Sequence, residues 1–236
     1  MNKRRVLTAL VLVLTSCAPE GPSAYISFNV PPDSNCVTSP SSEFFISQGT
    51  YDIARGGLSN SDSCANSYSM RLLVNSNLRT NQDRDLGRSE PNILMLHSAE
   101  VKLKTIDGET LDFGDSLPNP FTTTTANSIE PTSGSDPSVG IAVVEAIPVA
   151  YSDYLGALTG STIIAEVQIF GTTTGDVDID MRPFNFPIRI CDGCLTMCQF
   201  EDILNRDLTL DDVLMGDCAS RSISGQDGRV CIDPDC

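Results

Sequence analysis

Apolar and polar residues alternate in several segments of this chain, and a period of two residues is the pattern of a β-strand with one buried face. Four segments show the alternation most clearly and predict strands: Ala24 to Val30, Tyr68 to Val74, Val101 to Ile106, and Phe184 to Ile190. Two runs rich in β-forming residues, at 141–144 and 163–170, are suited to central strands. Pro187 marks its strand as an edge strand or a bulged one, because proline has no N–H to donate.

An Asp107-Gly108 pair separates the alternating segment 101–106 from a second one at 109–113. Asp-Gly between two such segments indicates a tight β-hairpin. Helical patterns are few and short. Residues 152–158 predict one short helix with Ser152 as its N-cap, and residues 200–208 predict another.

Residues 117–138 are rich in Thr, Ser and Pro. The threonine run predicts a strand at 121–125, and the remainder is typical of a loop or a linker. Many short strands separated by turn signals favour an all-β fold. We therefore expect an antiparallel β-sandwich, immunoglobulin-like but without the buried tryptophan of that class, over residues 24–190. A disulfide-rich C-terminal appendage follows at residues 191–236.

Charge narrows the classes of function. The 236 residues include 31 Asp and Glu against 15 Lys and Arg, a net charge of −16. This excess of acid argues against nucleic acid as a partner, since phosphate binding needs Lys and Arg, and against attraction to anionic lipid. The chain has one histidine, His97, so most sites built from several histidines cannot form. We expect His97 on a strand surface or tucked into the fold rather than in a serine triad.

The N-terminus has the features of an export signal. A basic start at residues 2–5 precedes a nine-residue apolar run at 6–14, which matches a signal-peptide core and is short of the roughly 20 residues that span a bilayer. The next residues, Leu14-Thr15-Ser16-Cys17, resemble the lipobox of bacterial lipoproteins. An ordinary signal peptide with a chance cysteine is the alternative.

The lipobox resemblance implies a set of processing events. Residues 1–16 would be removed as signal peptide, and Cys17 would carry the lipid as the first residue of the mature protein. Residues 17–23 would form a short tether, and two or more acyl chains are enough for stable anchoring in a membrane. Ala18, which follows the cysteine, favours the outer membrane in the pattern of that family.

Besides Cys17 the chain has eight cysteines, an even number that indicates disulfides in an exported protein. They are Cys36, Cys64, Cys191, Cys194, Cys198, Cys218, Cys231 and Cys236. The simplest pairing joins the first two and forms three bridges among the last six, whose connectivity stays open.

The sequence Cys191-Asp192-Gly193-Cys194 has two rival interpretations. A thioredoxin-like redox motif places CxxC after a strand and at the start of a helix, but the nearby Cys198 and the lack of a strand–helix alternation count against it. A zinc site formed with a distant cysteine pair has workable spacing. An oxidising compartment favours structural disulfides over both.

Asp176, Asp178 and Asp180 alternate along one segment and are weak candidates for a calcium site. An EF-hand loop would need Gly at its sixth position and Glu at its twelfth, where this chain has Met181 and Pro187. Alternation would place the three carboxylates on one face of a strand. A solvated strand edge is the simpler interpretation, and we assign no metal ligand.

Together these patterns favour a non-enzymatic, lipid-anchored module of the cell envelope, held at the membrane by its lipid and binding an envelope protein or a glycan, with no cofactor. An exported enzyme, either a carboxylate hydrolase or a CxxC thiol oxidoreductase, is the first alternative. Calcium-dependent adhesion or carbohydrate binding is the second. The cysteine cluster that begins at Cys191 also resembles that of uncharacterised exported bacterial lipoproteins, a likeness that implies no activity.

Overall fold

The computed structural model describes residues 22–33, 37–53, 67–79, 81–83, 88–90, 92–198 and 221–223. Within these residues the chain forms mostly β-strands. The strands are β1 (Ala24–Asn29), β2 (Gly49–Asp52), β3 (Tyr68–Ser76), β4 (Asn81–Asp83), β5 (Arg88–Glu90), β6 (Leu94–Thr105), β7 (Phe121–Ile129), β8 (Ser138–Ile147), β9 (Thr162–Thr173), β10 (Asp178–Asp180), β11 (Phe184–Cys191), β12 (Thr196–Cys198) and β13 (Arg221–Ile223). A short helical segment consists of a 3₁₀ turn (Val149–Tyr151), helix α1 (Ser152–Leu155) and a second 3₁₀ turn (Gly156–Leu158). The all-β prediction is confirmed.

Two sheets supply one hydrophobic core. The smaller sheet has the order β1-β3-β8, and the larger has the order β2-β11-β9-β6-β7, with β10 also pairing with β9. Strands β4 and β5, and β12 and β13, form separate two-stranded ladders. Side chains from the inner faces of both main sheets belong to a single buried cluster, and each fully buried Leu, Ile or Val contributes about 1.5–3 kcal/mol.

Strands β3 and β9 show why alternation identified them correctly. Tyr68, Met70, Leu72 and Val74 on β3 are fully buried, and the residues between them are mostly polar. Strand β9 alternates over its whole length and lies between β11 and β6. The prediction of a central strand at 163–170 is therefore confirmed.

The run at 141–144 lies in β8, which is at the edge of its sheet rather than at the centre. Ala142 and Val144 are buried, but Val139 and Val143 are 41% and 45% exposed on the opposite face. The sequence looked like a central strand because β8 has apolar residues on both faces. One of those faces is exposed to solvent.

The pairing of β2 with β11 corrects the expectation of a purely antiparallel fold. These strands run parallel, with Gly49 opposite Ile188 and Asp52 opposite Cys191. They are far apart in the chain, so no tight turn imposes an antiparallel arrangement on them. The prediction that Pro187 marks an edge strand or a bulge is wrong, because β11 lies between β2 and β9 and its register with β9 is unbroken at the proline. The proline is tolerated because the β2 ladder begins only at Ile188, so Pro187 has no partner on that side.

The Asp107-Gly108 turn forms, with Gly108 at φ 90° and its N–H donating to the carbonyl of Thr105. The second arm of the predicted hairpin is reduced to a single bridge between Lys104 and Thr110. The side chain of Asn119 accepts from the N–H of Leu103 and donates to its carbonyl, which ends the ladder there.

The stretch 117–138 contains more strand than expected. Strand β7 covers 121–129 and pairs along β6, so the predicted strand at 121–125 is confirmed and the loop assigned to the remainder is too long. The threonine side chains suit a β-strand, because β-branched residues pack well on a pleated surface. Strand β7 is the last strand of the larger sheet.

The helix at 152–158 is present, but Ser152 is not its N-cap. The helical conformation begins three residues earlier, after Pro148 in an extended conformation, and Ser152 is itself helical. Its hydroxyl donates to the carbonyl of Val149 at 2.8 Å. Within the described residues no helix has the length and apolar content to cross a membrane.

Candidate functional site

The CxxC segment forms a closed loop at the end of β11. Cys191 and Cys194 are disulfide-bonded, with their Cα atoms 5.9 Å apart. Gly193 supplies the left-handed backbone (φ +73°) that lets the chain turn within so short a loop. This bridge agrees with the expectation of disulfides within the C-terminal cysteine cluster.

Asp52 lies beneath this loop because the parallel ladder places it opposite Cys191. Its side chain is fully buried. One carboxylate oxygen accepts from the N–H of Gly193 and the other from the N–H of Leu195, both at 2.7 Å. A buried charge is tolerated when it is hydrogen-bonded in this way, and bonds to an ionised acceptor are the stronger kind.

Asp52, Cys191 and Cys194 form the only group of three potential metal-ligand side chains that the described part of the chain brings together, with ligand atoms within 4.8 Å of one another. Two thiolates and a carboxylate are suitable zinc ligands. In this structure, however, the sulfurs are bonded to each other and both carboxylate oxygens accept backbone N–H groups. The observed arrangement fastens the loop to β2 at two points.

The surroundings of the disulfide differ from those of a thioredoxin-like motif. Strand β11 precedes the loop as predicted, but strand β12 follows it and pairs with β13. A helix that starts at the motif lowers the thiol pKa with its N-terminal dipole, and a strand has no such effect. Cys191 is buried and Cys194 is exposed, so an external thiol can reach one sulfur more easily than the other.

Tyr51, which precedes Asp52, is fully buried and packs edge-to-face on Tyr68 with ring centroids 6.4 Å apart. Burial raises the pKa of the Tyr51 hydroxyl far above its ordinary value; a hydrogen bond with Ser152 opposes the shift, and nearby carboxylates add to it. The phenol therefore stays neutral and serves packing.

The three aspartates considered for calcium do not converge on one strand face. Asp176 lies in the turn before β10, in a left-handed conformation (φ 60°), while Asp178 and Asp180 are exposed on the strand. No group of three ligand side chains forms among them in the described residues. The solvated-edge interpretation fits this placement.

His97 is exposed at an irregularity in β6, where the register shifts between Leu96 and Ser98. Its Nδ1 lies 2.8 Å from the hydroxyl of Ser98. The surface position predicted for this histidine is confirmed.

The sequence did not predict that the outer surface of the β1-β3-β8 sheet would be a continuous apolar surface. Phe28 on β1 pairs with Leu73 on β3, and Leu73 pairs with Ile141 on β8. Phe45, from the loop that follows β1, stacks on Phe28 with centroids 4.7 Å apart. We call this surface the apolar face; its residues are Phe28, Phe45, Leu73, Val139, Ile141 and Val143.

Several predicted site residues lie outside the described residues. These are Cys17 with the rest of the lipobox, Cys36, Cys64, Cys218, Cys231 and Cys236, together with the helix at 200–208. The backbone of Cys198 is described as part of β12.

Sequence reasoning missed Asp52 and the apolar face. Asp52 is one of 31 acidic residues and acquires its role from a strand pairing that no local pattern marks. The apolar face had a weaker signal, the adjacent Phe44 and Phe45 and the valines on both faces of β8. No protein-family model matches this sequence, and a search of curated proteins finds no match.

Proposed function

We propose that this chain is a lipoprotein of the bacterial cell envelope, anchored in the outer membrane through a lipid on Cys17. The proposal is based on the basic start, the apolar run and the sequence Leu14-Thr15-Ser16-Cys17. Ala18 supports the outer membrane over the inner one. The folded domain begins at β1, close behind the anchor, and acts as a non-enzymatic binding or structural module for an envelope protein or glycan.

The non-enzymatic part of the proposal rests on one observation, the hydrogen bonding of the Asp52 carboxylate. It is the only buried carboxylate of the described residues, and both of its oxygens accept backbone N–H groups of the disulfide loop. A general acid or base needs an oxygen within reach of a substrate proton. Asp52 is enclosed and is used to hold β2 to the loop.

We also propose that the two main sheets form an immunoglobulin-like sandwich and that residues 191–236 are a disulfide-rich appendage. The shared core of the two sheets and the Cys191–Cys194 bridge support this. The parallel β2–β11 pair is a departure from a purely antiparallel sandwich. Mass mapping of all disulfides in the oxidised protein tests the appendage: bridges from the last six cysteines to Cys36 or Cys64 would contradict it.

Expression in a diderm bacterium tests the anchor. The N-terminal peptide should begin at Cys17 and carry a diacylglyceryl mass, and the protein should fractionate with the outer membrane. Cys17→Ser should abolish the lipid mass and release the protein to the soluble fraction. Ser16→Ala is the matched control, because it keeps a small residue beside the cysteine. Cleavage elsewhere with no lipid mass would refute the proposal.

A thiol oxidoreductase is the second candidate, favoured by one observation: Cys194 is exposed while Cys191 is buried beside Asp52. Titration of free thiols under denaturant and an insulin reduction assay distinguish the two functions. The structural interpretation predicts no free thiol and no turnover. Turnover that disappears in Cys194→Ser and persists in Cys36→Ser would favour the enzyme.

A further inference from the structure

Exposed apolar side chains are concentrated on the apolar face. Four of its residues are more than two-fifths exposed: Phe28, Phe45, Val139 and Val143. Phe44, at 77% exposure, precedes Phe45 in the same loop. Cross-strand partners stand about 4.5–5.5 Å apart, so the row from Phe28 through Leu73 to Ile141 is continuous. A continuous exposed apolar patch of this kind marks a surface that binds another protein, a membrane or a ligand.

The strands of this surface carry few charged side chains. Its strands contribute one base, Arg71, and one acid, Glu145, both half-buried, while the whole chain has a net charge of −16. Asn75, also on this side of β3, donates to the hydroxyl of Ser27. The strands of this surface therefore place few charges where a covering partner would remove water, and the loop that carries Phe45 adds one exposed acid, Glu43.

The position of the N-terminus indicates what covers this surface. Strand β1 is an edge strand of the same sheet and begins at Ala24, seven residues after Cys17. A segment of that length spans at most about 25 Å. A domain of this size is roughly 40 Å across, so a lipid on Cys17 holds the β1 edge closer to the bilayer than the width of the domain.

We propose that the apolar face lies on the lipid bilayer in which the Cys17 anchor is inserted, with Phe28 and Phe45 in contact with the interfacial region. The inference rests on the proposed lipid anchor and adds an orientation to it. The contact is apolar and suits a zwitterionic or uncharged surface, because the charge of the chain opposes anionic headgroups. The larger sheet and the disulfide loop then remain available to other partners.

The absence of tryptophan from the sequence permits a clean test. Phe45→Trp introduces a single tryptophan at the apolar face, and Ile106→Trp introduces one at a somewhat more exposed position (67% against 57%) in the turn after β6. On phosphatidylcholine vesicles, the lipidated Phe45→Trp protein should show emission shifted to shorter wavelength and strong quenching by nitroxide-labelled lipid. The Ile106→Trp protein should show neither change.

A second attachment separates the inference from the lipid proposal. The chain from residue 17 onward, with Cys17→Ser and an N-terminal hexahistidine tag, is bound to the same vesicles through a nickel-chelating lipid. The Phe45→Trp shift should also appear there, whatever the native modification of Cys17. Circular dichroism of each variant checks the fold, and Phe28→Trp repeats the test if Phe45→Trp does not fold.

Three results would overturn the inference. The first is a water-like emission of Phe45→Trp on both kinds of vesicle. The second is a shift that grows with protein concentration without vesicles, which identifies a second copy as the occupant. The third is a shift seen only with vesicles that contain native envelope proteins, which identifies a protein partner. A missing lipid on Cys17 with a normal shift on chelating vesicles would refute the anchor and leave the orientation intact.

Discussion

Replacing Asp52 with asparagine tests how strongly the buried carboxylate holds the loop that contains the Cys191–Cys194 disulfide. The substitution keeps the size of the side chain and removes its charge. Asparagine has one oxygen and one NH₂ group, so it can accept from Gly193 or from Leu195 but not from both. The NH₂ group would face a backbone N–H, and one of these two donors would lose its partner.

The structure sets the magnitude of the effect. Each of the two 2.7 Å bonds to the carboxylate is of the charged kind, which contributes about 1.5–3 kcal/mol, and a buried donor left without a partner costs about 1–3 kcal/mol. We expect Asp52→Asn to lower the free energy of unfolding by about 2–4 kcal/mol and Asp52→Ala by about 3–6 kcal/mol. For a chain of this size, the asparagine variant should lose roughly 4–16 °C in Tm.

Urea unfolding of the oxidised protein, followed by circular dichroism, measures the free energy. Hydrogen exchange at the amides of Gly193 and Leu195 reports on the site itself and should accelerate in both Asp52 variants. Asp112→Asn is the matched control, because Asp112 is exposed and accepts at 2.9 Å from Gly114, which has φ +74° as Gly193 has +73°. Its effect should stay within about 0.5 kcal/mol.

Equal losses in Asp52→Asn and Asp112→Asn, or unchanged exchange at the two loop amides, would refute the reasoning. An increase in stability would show that the cost of burying the carboxylate exceeds the value of its hydrogen bonds.

Three further predictions concern the fold. Gly171→Ala places a Cβ 2.8 Å from the carbonyl oxygen of Met95 and should cost about 1–3 kcal/mol in urea unfolding. Asn119→Asp replaces a donor to the carbonyl of Leu103 with a carboxylate and should cost about 2–4 kcal/mol in the same assay. Burial raises the pKa of the Glu145 carboxyl, and a hydrogen bond with Ser67 opposes the shift. The free energy of unfolding therefore falls as pH rises and the Glu145 carboxyl becomes charged. Glu145→Gln removes this charge, so it should raise Tm at neutral pH but not below the ordinary Glu pKa of about 4.3.

Controls and contrary outcomes are available for each. Gly134→Ala meets no atom nearer than 4.0 Å and should be near neutral, so an equal loss at both glycines would contradict the packing argument. The Asn119 amide also donates to the carbonyl of Leu111, while the carbonyl of Leu103 accepts from the N–H of Leu111 as well. A neutral Asn119→Asp would therefore mean that the Leu111 carbonyl finds another donor. A gain in Glu145→Gln that is the same at every pH would show that the effect comes from packing rather than charge.

The alternation of residues was enough to locate strands whose two faces differ in chemistry. Strand β3 is the clearest case, because Ser69 and Arg71 on its outer side are polar. The same reasoning placed β8 at the centre of a sheet, because Val139 and Val143 make its outer side apolar as well. A sequence pattern records apolar side chains on both sides of a strand, but it does not record whether protein covers both.

Only part of the candidate site could be predicted from the sequence. The Cys191–Cys194 motif was visible as a short spacing, while Asp52 reaches it through a parallel ladder between distant segments. No pattern in the sequence of β2 or β11 indicates that the two strands pair with each other. The same applies to the apolar face, whose rows are assembled across β1, β3 and β8.

The pairing of β2 with β11 also determines when the fold can be completed during synthesis. Gly193 follows Asp52 by 141 residues, and a ribosome that adds about 5–20 residues per second needs roughly 7–28 s to make that interval. Until β11 has been made and, in an exported chain, has reached the same compartment, β2 has no strand to join. A chain that stops before β11, which begins at Phe184, therefore leaves β2 without its partner strand and Asp52 without the two loop N–H groups, so the last 53 residues are needed to close this part of the core.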